Sequence, residues 1–371
     1  MNESIALEGA PGISASASRS ASRAELPFEF RGNGAEYFRI WIVNLLLTIV
    51  TFGIYSAWAK VRRLRYFYGN TYLDGHPFEF HGRPLAILKG RLIVFVAYLL
   101  FVFASQLKPA IVLFLIPLAL FGVPWIIMKS RLFQTRMSSY RNIRFNFHGT
   151  YGGALAVFVG WYLLVVVTIG ILYPAWVRKR VEYSLDNAAY GTQKWSFLTT
   201  TGRFYTFCLI TFGLGIAAYT GFIVLFMGLF KGMQAGSSYG AGTQLAMLAA
   251  LGPGLWLSML VAAAVALAIW GYYQASFLNA SFGGVQIGGN YLRSNLQIAP
   301  LVWIYVTNLL GIVFTLGLFY PWAKVRQTRY QLENMAVDSD GNLSGFMADA
   351  TPKTSALGEE AGDFFDVDFG L

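Results

Sequence analysis

Charge is what this chain has least of. Charged residues make up 12% of its 371 positions, against 56% hydrophobic, whereas a typical soluble domain carries about 25% charged residues. So few charges cannot cover a water-facing surface, and lipid contact must stand in for it. Cysteine is nearly missing: Cys208 is the single one. It can form no disulfide within the chain and belongs to no Cys–His metal set; in an apolar stretch it reads as a small apolar side chain. The histidines are His76, His81 and His148. No Walker loop, HExxH motif or paired zinc ligands occur, so no catalytic, cofactor-binding or metal-binding residue is expected, and the chain is not read as an enzyme. No Asp or Glu falls inside an apolar run, which argues against a carrier that moves protons on intramembrane carboxylates. Residues 1–27 hold no apolar core run and are not a cleavable signal peptide.

What charge there is has a pattern. The formal net charge is +10, but residues 338–371 hold eight acids and one base, and the rest of the chain stands at +17. The bases flank apolar segments. That is how the positive-inside rule and attraction to anionic lipid are expressed, so the expected partners are membrane lipids, anionic ones first, and not nucleic acid; a homo-oligomer is allowed. The Ser/Ala-rich N-terminus (1–27) and the acidic C-terminus (338–371) are expected to be disordered tails.

Four apolar runs, at about 92–107, 109–128, 204–230 and 245–275, are candidate full spans arranged as two hairpins. Three further segments echo one another: TFGIYSAWAKVRRLRY at 51–66, TIGILYPAWVRKRVEY at 168–183 and TLGLFYPWAKVRQTRY at 315–330. Each holds Thr-x-Gly, then Trp, then a basic run, then Tyr. The pieces before them also recur, as FEFRGNG at 28–34, FNFHGTYGG at 145–153 and, more weakly, VQIGGNY at 285–291, with FEFHG at 78–82. Phe-x-Phe before Gly reads as a short strand entering a turn. The pattern predicts an internal repeat, with units at about 28–144 and 145–284 and a partial third at 285–337. The fold class expected is an all-α helical multi-pass membrane protein, with broken or re-entrant helices and short interfacial β pieces.

Charge counting separates two topologies. If each echoed segment spans, Lys and Arg divide 17 inside to 11 outside. If each enters and leaves on one side, only Lys108 and Lys231 lie outside and the other 26 lie inside, which the positive-inside rule prefers. The C-terminus is then cytoplasmic.

The candidate residues follow from the echo. Trp58, Trp176 and Trp322 are expected as interfacial anchors. Lys60, Arg62, Arg178, Arg180, Lys324 and Arg326 would form a converging lipid-headgroup cluster. Asn44, Thr51, Thr168, Asn308 and Thr315 are polar groups in the core of the segments, where each needs a protein or water partner. His81 and His148 sit at equivalent places in the Phe-x-Phe-His-Gly pieces.

Taken together, FEFRGNG, NLLLTIVTFGIYSAWAKVRRLRYFYGNTYLDG and FEFHGRPLAILKGRL over 28–91, with WAKVR at 322–326, resemble the YjgN-like family of bacterial inner-membrane proteins, a domain of unknown function. The resemblance covers roughly 28–335 and implies a multi-pass protein of the bacterial inner membrane. It carries no activity, substrate or catalytic residue. The second echo departs from it, with WVRKR in place of WAKVR. Repeats with broken helices suit a channel or transporter for a solute or lipid. The alternative is a non-transporting scaffold or envelope-associated interaction protein.

Overall fold

The computed structural model describes residues 24–107, 110–236 and 241–339. Its centre is β, which corrects the all-α expectation. Ten short strands close into one antiparallel barrel in sequence order: β1 (Ala24–Phe30), β2 (Thr71–Leu73), β3 (His76–Phe80), β4 (Ser138–Tyr140), β5 (Ile143–Phe147), β6 (Ala188–Tyr190), β7 (Gln193–Phe197), β8 (Val285–Ile287), β9 (Asn290–Ser294) and β10 (Met335–Ser339). The expected β pieces are real, but each is one stave of a closed wall. The physical reason is the unpaired edge: a strand of three to seven residues leaves N–H and C=O groups open on both sides, and closure satisfies all of them. The first and last staves meet, with Leu26 opposite Val337. Residues 24–27 and 338–339 therefore belong to the barrel wall, while the rest of the two expected tails lies outside the described residues.

Alternate connections differ in kind. Four are two-residue turns, at Asp74-Gly75, Arg141-Asn142, Gly191-Thr192 and Gly288-Gly289. The first two place both central residues at positive φ, the geometry whose twist matches paired strands. The other five connections are helical and all leave the opposite end of the barrel. Two are long hairpins: α3 (Pro84–Leu107) with α4 (Ala110–Arg136), and α8 (Thr201–Gly236) with α9 (Ala241–Phe282). Three are the echoed segments: α1 (Gly34–Val50) with α2 (Ser56–Gly69); α5 (Tyr151–Leu155), a π turn (Ala156–Gly160) and α6 (Trp161–Val167) with α7 (Tyr173–Asp186); and α10 (Ile298–Phe314) with α11 (Tyr320–Glu333). Because each pair joins neighbouring antiparallel strands, each echoed segment leaves and returns at the same barrel end. The expected turn at Lys108-Pro109 lies outside the described residues.

Four stretches within the long hairpins are long and apolar enough to cross a membrane: Pro84–Gln106, Leu115–Arg136, Thr201–Gly228 and Trp256–Phe282. The echoed segments are not. At 17 residues, α1 and α10 fall short of the roughly 20 that a span needs. The outer barrel wall carries Glu29, Glu79, Arg144, Lys194 and Arg293, all exposed, so it faces water. The molecule is a water-facing barrel crowned on one end by apolar helices.

The Phe-x-Phe and Gly of the repeated pieces have one cause. The first aromatic of each pair, Phe28, Phe78, Phe145 or Trp195, lines the inside of the barrel. The second, at Phe30, Phe80, Phe147 and Phe197, is buried and anchors a separate cluster where strand meets helix. Its ring folds back over the residue two positions on, and a side chain at Gly32, Gly82 or Gly149 would strike that ring. The motif tyrosines pin the same joint. Tyr66 donates to the Asn33 carbonyl at 2.8 Å, Tyr183 to that of Thr150 at 3.0 Å and Tyr330 to that of Gln297 at 2.9 Å.

These close approaches predict a paired result. Gly149→Ala should destabilise the purified protein by about 1–3 kcal/mol, the usual cost of overpacking. Gly152→Ala, where an added methyl meets nothing within 4 Å, should be neutral or stabilising, since alanine is the better helix former. Thermal melts of the two variants beside wild type check this.

Candidate functional site: a basic cavity under an apolar crown

The echoed Thr-x-Gly is a two-way helix cap. The Thr51 hydroxyl donates to the Leu47 carbonyl at 2.7 Å and accepts from the Tyr55 amide at 3.0 Å. It thereby closes α1 and opens α2. Thr168 does the same toward Leu164 and Leu172, and Thr315 toward Gly311 and Phe319. The next two residues turn left-handed: Phe52 and Gly53 at φ 49° and 89°, Ile169 and Gly170 at 49° and 85°, Leu316 and Gly317 at 51° and 93°. Glycine accepts such values freely, but the large residue before it is strained there, Ile169 most because it is β-branched. The strained residues form the tips. Phe52 is 98% exposed, Ile169 93% and Leu316 94%. Three apolar side chains thus project bare from the crown, which is favourable only in acyl chains. The tips reach roughly 10 Å beyond Lys60 at helical rise, well short of a ~30 Å hydrocarbon core.

The three tryptophans are packed rather than loose. Trp58 joins the cluster of Ala57, Val61, Phe80, Ile87 and Phe133. Trp176 donates its indole N–H to the Val157 carbonyl at 2.9 Å, in the π turn, where a widened helix leaves a carbonyl open. Trp322 lies on Gly34 and Phe38, tying α11 to α1. The core asparagines brace their own helix pairs. Asn44 is approached by the Arg62 guanidinium at 3.5 Å, and the Asn308 amide donates to the Ala323 carbonyl at 3.1 Å.

The six bases do not form one cluster. Arg178 donates to Glu182 at 2.9 Å and to the Thr199 carbonyl. Arg180 stacks over Trp176 at 4.6 Å. Arg62 turns to the Tyr55 hydroxyl at 3.1 Å, and Arg326 to that of Thr307 at 2.7 Å. Lys60 is different. With Arg63 and Arg91 it lines a cavity of about 420 Å³ between α1, α2, α3 and α11, shared with Tyr37, Trp41, Asn44, Ser56 and Tyr320. Among the described residues no carboxylate lines it. Burial, then the Arg91 and Arg63 charges, push the Lys60 ammonium down to about 8. Burial and Arg63 also lower Lys324, across the same seam between the first and third echoes. Arg91 donates to the Ser56 hydroxyl.

Arg63 and Arg91 were not among the sequence candidates. Lys60 and Arg63 are three apart and share a helical face, whereas the basic-x-Arg pattern had selected Arg62, on another face. Nothing in the sequence marks Arg91 as a neighbour of Lys60. The histidines form no site. His81 Nε2 meets both the Ser139 hydroxyl at 2.7 Å and Glu79 at 3.4 Å, so acid and hydroxyl share one ring nitrogen and no relay exists. No group of three His, Cys, Asp or Glu that could hold a metal occurs among the described residues.

A closed β-barrel crowned by four helices long and apolar enough to cross a membrane defines a membrane protein of mixed structure, and relatives narrow this further. The chain belongs to the family described as bacterial protein of unknown function (DUF898), whose profile matches residues 25–364. It is 23% identical over 351 residues to the inner membrane protein YjgN of Salmonella typhimurium, covering 84% of this chain and 88% of that one. It is 34% identical over 152 residues to the inner membrane protein YjgN of Escherichia coli K12, covering 39% and 36%. No solved structure matches significantly.

The basic cavity predicts a pH dependence. An anion there favours charged Lys60, so binding takes up a proton when the ammonium is partly neutral. Affinity for an anionic headgroup should be full near pH 7 and fall as pH rises through about 8. Titrating lipid retention from pH 7 to 9.5 checks this, and Lys60→Arg should flatten the profile.

Proposed function

We propose that this chain is a multi-pass inner-membrane protein, built of repeated units on a barrel, that holds anionic lipid headgroups at the cytoplasmic leaflet. The carrying observation is the cavity that Lys60, Arg63 and Arg91 line together. Three cations that face one cavity favour an anion there, and a lipid phosphate carries that charge. The apolar tips support the reading, since they wedge into the same leaflet. A solute channel is less well supported. At most 12% of any candidate span is buried, so the spans face outward rather than around a shared path. A headgroup site beside wedged acyl chains suits moving or sorting lipid. A scaffold that only docks partners is the competing reading.

Two outcomes are expected. Each base near an anionic surface contributes about 1 kcal/mol, so Lys60→Ala with Arg63→Ala should weaken anionic-lipid retention in native mass spectrometry by roughly 30-fold. Arg178→Ala should change it little, because Glu182 already neutralises that charge. Equal retention of anionic and zwitterionic lipid by wild type would favour the scaffold. For topology, single cysteines replacing Asp74, Asn142, Thr192 or Gly289, one in each tight turn, should all react with an impermeant maleimide only after the inner membrane is opened. Alternation between sides would mean that the echoed segments span.

A further inference from the structure

The barrel is hollow at its core. A cavity of about 450 Å³ is lined by side chains from all ten strands, within the range of pockets that hold small molecules. Its wall is apolar and aromatic, with Phe28, Phe78 and Tyr190 prominent. One end is bounded by Phe67, Phe282 and Leu332, in the last turns of helices returning from the membrane.

Two polar atoms break this wall. Trp195 and Asn290 both line the cavity, and the Trp195 indole N–H and the Asn290 side-chain carbonyl are buried with no hydrogen-bond partner among the described residues. Asn290 is only 3% exposed. They share one rung of the sheet: Trp195 pairs with Ile287, and Ile287 with Asn290. Paired residues point to the same face, so the two side chains lie on the lumen face of strands two apart. The rung lies near the Gly288-Gly289 turn, at the end away from the crown. A buried donor and acceptor left unmade are unfavourable, and isoleucine or phenylalanine would fill the same wall.

We propose that the lumen binds one neutral single-chain lipid bearing a hydroxyl. The hydroxyl accepts from Trp195 and donates to Asn290, and the chain runs toward the crown. A hydroxyl does both at once, whereas an ionised carboxylate has no proton to donate to the asparagine carbonyl and meets no cation in the described lining. Polar end deep and tail toward the membrane is also the orientation of a lipid leaving the leaflet above the barrel. This site is separate from the basic cavity and does not depend on it.

The full chain is placed in phosphatidylcholine nanodiscs with a diazirine-bearing hexadecanol, and labelled peptides are mapped by mass spectrometry. Labelling is expected on lumen peptides carrying Phe28, Phe78 or Tyr190, displaced by unlabelled hexadecanol and not by hexadecane. Asn290→Leu with Trp195→Phe removes both polar groups and should cut lumen labelling ~30-fold, two hydrogen bonds' worth. The same double change should raise the melting temperature without added alcohol and abolish the rise that hexadecanol causes in wild type. Lys60→Ala with Arg63→Ala should leave lumen labelling unchanged. Labelling confined to crown helices, displacement by hexadecane as effective as by hexadecanol, or lumen labelling unaltered by the Asn290 and Trp195 changes would each overturn the proposal.

Discussion

Closure of the barrel is the constraint on which everything else hangs. Each strand is three to seven residues long and could not persist alone or as an open pair in water. Arranged in sequence order, each pairs with the strand before and after it, and pairing of Leu26 with Val337 seals the ring. Because neighbours are antiparallel, alternate connections are forced to opposite ends. Four tight turns then occupy one end, and every helix pair must rise from the other. The one-sided crown is thus a consequence of strand parity.

The crown obeys the bilayer in two ways. The long hairpins carry enough apolar residues to cross it. The echoed pairs are cut short by a threonine that caps two helices at once and by a left-handed step at the next residue. Backbone groups freed by the break are returned to partners: the Gly53 amide bonds the Thr48 carbonyl at 2.8 Å, and Gly170 and Gly317 repeat the contact. This lets a non-spanning tip enter the leaflet with its polar groups satisfied. Below the tips the bases part company. Arg178 meets Glu182, Arg62 and Arg326 turn to hydroxyls and Arg180 stacks on Trp176, while the seam between the first and third echoes gathers Lys60, Arg63, Arg91 and Lys324.

Part of this was legible in the sequence. The candidate spans at about 92–107, 109–128, 204–230 and 245–275 follow from apolar runs, whose signal needs no tertiary context. The strands at 28–34, 78–82 and 145–153 showed as alternating Phe before Gly, and that at 285–291 more weakly. The others did not. Thr71–Leu73 and Ala188–Tyr190 are three residues long, too short for a period-2 pattern, and Met335–Ser339 runs into the acidic tail. Their partners are distant in sequence, so no local window shows the ring. The candidate cations divided likewise. Lys60 fell in the cavity, while Arg62, Arg178, Arg180 and Arg326 turned to neighbours that only folding supplies.

By itself the sequence determined the solvent. An apolar excess, few charges, and bases massed beside oily runs fix the membrane setting, because transfer of side chains between water and lipid is additive along the chain. The threefold Thr-x-Gly also fixed where helices break, because a cap is local chemistry. Only the tertiary structure decided that the β pieces form a closed wall, that Arg91 stands beside Lys60, and that Trp195 and Asn290 share a rung of a hollow lumen. Those facts depend on pairing between residues tens to hundreds of positions apart, where ring closure chooses the neighbours.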